Sequence, residues 1–559
     1  MKIRKILSTI LSFTLITILI SGCGNNEGKQ KSENVVRNSE NDKSPITLTF
    51  FDVDAIEDMQ FDDDVAKKIT ELTGVTLKIT HPVAGDNQAI SLMIASGDYP
   101  DLIYAKSDTE RLIDAGAIIK LDDYIKKCGN NIKALYGDQL KRLRYSKEDP
   151  STYALGAYGV NTQVFDPNGT MQLQHEVLKE LGYPEIKTLQ DYEKAIKDYI
   201  VKHPEINGKK TIGMSLMASD WRWLITCGNV ASAVAGIPND GQFKVDYETQ
   251  KVMYKFQLPE VKEYFKWLNH MNAEGLLDQE SFTQKEDTYR AKLAQGNVLG
   301  ISDAKWDYDV SIKRLVSSGM EERTFAPLAV TLGDKYKSQE LEDYGYSGGW
   351  GVAISSTSKN KDRAFQFLDW LASDEAQVLL NWGIEGKHYK VENGKRVMLP
   401  EVQESRNTDK EFKNRTGIGQ YIYPFPQRGN GAIDPSGNPY ASDTLEVYTS
   451  NYNKGEKATL EGYEKKSFLD FFPSPEELGK SKHGQIWQYN IPSDSDIASI
   501  QKKADDYTQK AIIQAILGSP ADFEAAWKKI QEDLKAMDIE KLNKEMSKVV
   551  AEKIKLWND

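Results

Sequence analysis

From Ile46 to Ile119 the apolar positions switch repeatedly between a period of two and a period near 3.6. The stretch ITLTFFDVDA (46–55) alternates and ends on carboxylates, which predicts a strand. FDDDVAKKITELTG (61–74) has helical spacing, an acidic first turn and a glycine stop. VTLKIT (75–80) then predicts strand, NQAISLMIASG (87–97) helix, DLIYA (101–105) strand and TERLIDAGAI (109–118) helix. Alternation at this spacing argues for a mostly parallel α/β sheet. Ligands of such sheets lie beyond the carboxyl ends of the strands, which places Asp52, Asp54 and Tyr104 beside a cleft.

A second unit follows. Residues 172–204 carry two amphipathic helices, the second capped by Thr188 with Asp191 three residues on. GNVLGISDAKW (296–306) reads as strand leading to loop, and YSGGWGVAIS (346–355) as another strand before a long helix over 360–380. From Ile497 onward, Ala, Lys, Glu, Leu and Ile recur at helical spacing, broken at Gly518-Ser519-Pro520. There is no internal repeat.

The N-terminus has a different pattern. Lys2, Arg4 and Lys5 precede an apolar run, Ile6–Ile20, whose fifteen residues would make roughly 22 Å of helix. That is short of a ~30 Å hydrocarbon core and suits a secretory h-region. Ile20-Ser21-Gly22-Cys23 resembles the lipobox of bacterial lipoproteins, in which the thiol is acylated and the chain is cut before it. Two or three acyl chains anchor stably where one is marginal. Residues 24–45 are polar and free of aromatics, too poor in apolar surface to offset the entropy of ordering, and read as a leash.

Composition narrows the partners. The chain has 559 residues and a net charge of −12, near −15 once the first 22 residues are removed. Such acidity argues against nonspecific binding to nucleic acid or to an anionic membrane surface. The mature length implies two or more lobes, and no second apolar run reaches about 18 residues. Cys128 and Cys227 are left as a possible disulfide or as two buried thiols.

Four stretches in order, ASGDYPDLIY (95–104), ELGYPEIKTLQDYEKAIKDY (180–199), the segment 349–389 and FFPSPEE (471–477), resemble the extracellular solute-binding proteins of ABC importers. The likeness is to the large lipoprotein branch that takes up oligosaccharides such as alginate or pectin fragments. It implies an α/β, two-lobe periplasmic-binding-protein-like fold with a hinge of several chain crossings and a ligand cleft between the lobes. On that pattern residues 1–22 are signal peptide, 23–45 tether, 46–165 the first lobe with parts of about 325–400 returning to it, 166–324 the second lobe, and 401–559 a mainly helical part completing the second lobe. It also implies a monomer, an oligosaccharide ligand, permease subunits as partners, a membrane met only through the lipid anchor, no cofactor and no enzymatic activity. A tethered glycoside hydrolase and a sugar sensor or adhesion lipoprotein of the same fold are the competing functions. One departure concerns metal. Relatives carry an acidic calcium loop, but here His203, Thr211 and Ile212 stand in place of its carboxylates, so a turn without metal is expected.

A sugar site needs aromatic platforms rimmed by polar groups. In ASDWRWL, Trp221 and Trp223 flank Arg222 beside Asp220; they face the same way on a strand and diverge on a helix, where one would be core. Trp306 with Asp303, Trp350 between glycines with Tyr346 nearby, and Asp52 are further candidates. Tyr158 and Asn161 lie where the first lobe crosses to the second. Glu385 and Tyr389 sit in a glycine-bounded loop, NWGIEGKHY, with a structural role as the alternative. Trp267, Trp370 and Trp527 are expected in the core. The six histidines show no paired metal spacing, and there is no Gly-x-Ser-x-Gly elbow, P-loop or CxxC.

Overall fold

The computed structural model describes residues 42–55, 59–82, 86–167, 169–346 and 348–558. The signal segment, Cys23 and most of the tether lie outside them.

Two sheets organise the body. In the first, Ile46–Asp52 runs parallel to Val75–Thr80 on one side and to Leu102–Tyr104 on the other. Beyond Leu102–Tyr104, Gly351–Ile354 and then Ala154–Gly156 each join antiparallel to their neighbour, so the sheet is mixed rather than mostly parallel. The helix Asp64–Thr73 starts on Asp63, whose carboxylate accepts from the Ala66 amide, and stops at Gly74 in the left-handed region (φ 75°). Leu48, Phe50, Val65, Ile69, Ile103 and Phe365 lie in the core beneath this sheet.

The second sheet has the order Phe325–Leu328, Met171–Gln174, Val298–Ser302, Ile212–Met214. All residues of Met171–Gln174 and Val298–Ser302 are buried, as expected where both faces are covered. Its larger core takes in Tyr192, Phe256, Phe265 and the terminal helices Asp496–Leu517, Phe523–Ala536 and Ile539–Asn558. Trp267 and Trp527 are buried here, while Trp370 stacks half-buried on Phe367 over the first core.

Two placements differ from the sequence reading. Phe325–Leu328, expected to return to the first lobe, pairs with Met171–Gln174 in the second sheet. Phe412, Ile418, Tyr421 and Phe425, expected with the second lobe, pack on the first core instead. Both follow from side-chain placement that a local apolar pattern does not specify.

Three segments cross between the sheets: 157–170, 329–350 and 426–447. The first and third run side by side. Gly159 bridges to Gln427, the Asn161 amide donates to the Arg428 carbonyl at 2.8 Å, and the Gly431 amide donates to the Asn161 carbonyl at 2.8 Å. A Cβ on Gly159 would come within 2.4 Å of the Gly429 Cα, so this approach requires glycine.

The segment expected to lack metal is a hairpin. Glu205–Ile206 pairs with Lys209–Lys210 around Asn207 and Gly208, both at positive φ, the geometry of a tight two-residue turn. Thr211 closes it, its hydroxyl donating to the His203 carbonyl at 2.6 Å. Backbone pairing thus supplies the ordering that calcium would, and the loop's one carboxylate, Glu205, is exposed. Chelator should leave the melting temperature unchanged. A drop reversed by calcium at millimolar concentration would show that this loop takes metal.

Candidate functional site

The carboxyl ends of the first sheet's parallel strands deliver Asp52 and Tyr104, as position alone suggests, and remote segments build on them. Tyr104 hydroxyl pairs with Tyr423, whose hydroxyl donates to Asp54 at 2.8 Å. Asp54 also pairs with Lys106, whose ammonium lies 5.3 Å from the centre of the Trp350 ring. Lys106 holds φ at 50°, a left-handed backbone that costs a residue with a side chain about 1 kcal/mol or more. Trp350 stands edge-on to Trp487 at 5.0 Å, and Tyr158 touches Trp350, Trp487 and Tyr423 at 6.4, 6.0 and 5.8 Å. Five aromatic rings from five separate chain segments therefore converge beside one ion pair.

The second sheet contributes a different surface. Trp221 and Trp306 are 57% and 58% exposed, yet their rings stack at 6.0 Å with only 10° between planes. Large aromatic faces left in water are what a sugar's apolar C–H face would cover. Arg222 lies 5.0 Å from the Trp221 ring and is gripped from below by Asp220 at 2.6 Å, by Asp307 at 3.2 Å and by Glu286. Arg290 shares Asp307 and Glu286. This network holds the exposed ring in place.

The two surfaces are joined by the first crossing. Tyr158 belongs to the first, and Asp166 pairs with Lys305 at 2.8 Å, the residue next to Trp306. Eight residues of chain span at most about 28 Å, the scale of a cleft for a sugar of several units.

Other sequence candidates fall elsewhere. Trp223 is 4% exposed and packs on Phe256 and Phe265 in the second core, so it is not a platform. The segment turns helically after Asp220, and the two tryptophans diverge. Tyr346 is buried against Tyr136, with its carbonyl taken by Arg142. Asp303 is wholly buried, its carboxyl accepting from the Ala304 amide; burial and then Asp307 push its pKa well above the carboxylate range. It lies just before the helix Lys305–Ser317, so Trp306 stands in the first turn of a helix rather than on the loop expected after the strand. Tyr389 packs with Trp382 and Met398 beside a hairpin, and Glu385 is exposed on the preceding loop; neither joins the aromatic surfaces. Asn161 makes hinge backbone bonds. Cys128 and Cys227 are not bridged to each other; the Cys128 thiol donates to the Tyr124 carbonyl at 3.3 Å, and burial pushes Cys227 up to about 12.

Lys106, Tyr423 and Trp487 escape sequence reasoning. Tyr423 lies 369 residues from Asp54, and Trp487 137 residues from Trp350, in stretches without a strong period. Lys106 has no local mark of its left-handed turn.

Asp52 gives the site a pH dependence. Burial, and to a lesser extent Asp54, pushes its carboxyl up to about 6. A raised carboxyl contributes stability that is fully present below its unfolded pKa near 4 and is lost as pH rises through about 6. Asp52→Asn should therefore gain on the native protein between pH 4 and 7, by up to about 3 kcal/mol. Parallel stability–pH curves for the two would refute this.

Comparison with known proteins agrees with this architecture. Residues 64–381, more than half of the chain, match the family model described as bacterial extracellular solute-binding protein. Lipoprotein LipO of Bacillus subtilis is 25% identical over 378 residues, covering 65% of this chain and 70% of that protein. The fructooligosaccharide ABC transporter substrate-binding protein FusA of Streptococcus pneumoniae is 25% identical over 346 residues, 58% of this chain and 60% of its own. The crystal structure of alginate-binding protein AlgQ2 without calcium ion has a TM-score of 0.65 at 17% identity, covering 92% of this chain and 99% of that one. At that identity the likeness shows the two-lobe solute-binding fold. With residues 64–381 matched, the chain belongs to the bacterial extracellular solute-binding proteins.

Proposed function

We propose that this protein is a lipid-anchored receptor that captures an oligosaccharide between its lobes and hands it to the permease of an ABC importer. The observation that carries the reading is the exposed, stacked pair Trp221 and Trp306, fixed by the Arg222 network. Rings held in place before the ligand arrives lose little freedom on binding, so more of the contact energy appears as affinity. The partly buried rings Trp350, Trp487 and Tyr158 offer a second apolar wall. The likeness to FusA, a fructooligosaccharide ABC transporter substrate-binding protein, supports both the sugar and the importer. Nothing in the reading requires turnover, and the protein acts as a monomer.

The test is a glycan array with the detergent-solubilised mature protein, followed by recovery of the bound sugar. Micromolar capture of a glycan returned unchanged supports a receptor; cleaved product would make it a hydrolase. No capture would sink the reading. The anchor is tested separately. Cys23→Ala should leave the chain unacylated and shed into the medium, and undiminished membrane retention would remove that part.

A further inference from the structure

We propose that the site selects neutral oligosaccharides and turns away those bearing uronate carboxylates. The proposal rests on the oligosaccharide reading above and deepens it.

The charges at the two aromatic surfaces are unevenly disposed. A receptor for a uronate needs a cation whose charge is free to meet the ligand carboxylate, best of all an arginine fork. Four cations touch or adjoin these surfaces, and each is already held by carboxylate. Lys106 is paired with Asp54, and Lys305 with Asp166. Arg222 meets Asp220, Glu286 and Asp307, while Arg290 shares the last two. Three carboxylates around one guanidinium take three of its five N–H donors and more than balance its charge. Asp52 adds a further acid at the end of the first strand with no salt bridge among the described residues. Acids therefore outnumber cations where the sugar would lie, within a chain of net charge −12.

Carboxylates arranged in this way suit hydroxyl groups, which donate to them, and repel a ligand carboxylate in a partly desolvated cleft. Lys413 is a cation with no ion pair among the described residues. It lies on Phe412–Thr416, and its charged neighbours are Lys313, Arg406, Asp309 and Asp443 rather than any group of the two surfaces. It is the position where the proposal is most exposed to failure.

The experiment titrates the mature protein by calorimetry with two sets of probes of two to six units. One set is neutral (malto-, xylo-, manno- and fructo-oligosaccharides), the other acidic (oligogalacturonates and oligomannuronates). At least one neutral probe should bind at least tenfold tighter than every acidic probe. The gap should narrow between ~0.01 and 1 M salt, as the screening length falls from ~30 to ~3 Å. Asp54→Asn frees Lys106, and Glu286→Gln, separately, takes one carboxylate from both Arg222 and Arg290; either variant, once its melting curve shows it folded, should gain at least threefold in uronate affinity. An acidic probe that binds the native protein as tightly as the best neutral one overturns the proposal while leaving the oligosaccharide reading intact. Uronate binding lost in Lys413→Ala would identify the group overlooked. Failure of both sets to bind would remove the oligosaccharide reading itself, and this proposal with it.

Discussion

Trp223→Ala should lower the stability of the unliganded protein by about 3–5 kcal/mol, the usual loss when a buried aromatic is cut to alanine. Trp223 is 4% exposed and sandwiched against Phe256 and Phe265, so its removal leaves a cavity lined by rings that cannot collapse into it. Denaturant melts measure this directly. A loss under about 1 kcal/mol would mean that the ring is not part of the core.

Trp306→Ala, only a short distance away, should do the reverse. More than half of its surface is in water, so truncation should change stability by about 0.5 kcal/mol or less. Sugar affinity should fall at least tenfold, about 1.4 kcal/mol from a micromolar complex near −8 kcal/mol. Trp221→Ala should behave alike. The double variant should lose less than the sum, because each ring braces the other at 6.0 Å. Calorimetry with the best array glycan decides: unchanged affinity in both single variants would remove the second-lobe surface from the site.

These contrasting tryptophans show what a sequence can and cannot convey. ASDWRWL marks an aromatic, charged turn, but at i and i+2 it does not say which ring meets water; that depends on the helical turn starting after Asp220. The strand Val75–Thr80 and the helix Asp64–Thr73 are legible because each buries one face at its own period, and Leu102–Tyr104 because it is apolar and buried throughout. The strand Gly351–Ile354 is recognisable in YSGGWGVAIS, yet its neighbours Leu102–Tyr104 and Ala154–Gly156 are not, since antiparallel pairing over long separations leaves no local trace. Asp52, Tyr104 and Trp306 could be placed by strand ends. Tyr423 and Trp487 could not, since only tertiary contact brings them beside Tyr158. Asp303 shows the limit of residue type: an acid suited to a sugar rim is instead wholly buried before the helix that carries Trp306.

The paired crossings carry a mechanical consequence. A single strand joining two bodies would act as a swivel, leaving twist and shear as free as bending. Residues 159–163 and 427–431 are instead stitched side by side through Gly159, Asn161, Gln163 and Asn430. Two ribbons fastened edge to edge behave like a leaf hinge, compliant about one axis and stiff about the other two. Any opening and shutting would then follow one coordinate, so that each closure would bring the same rings to the same register with little entropy spent searching for alignment.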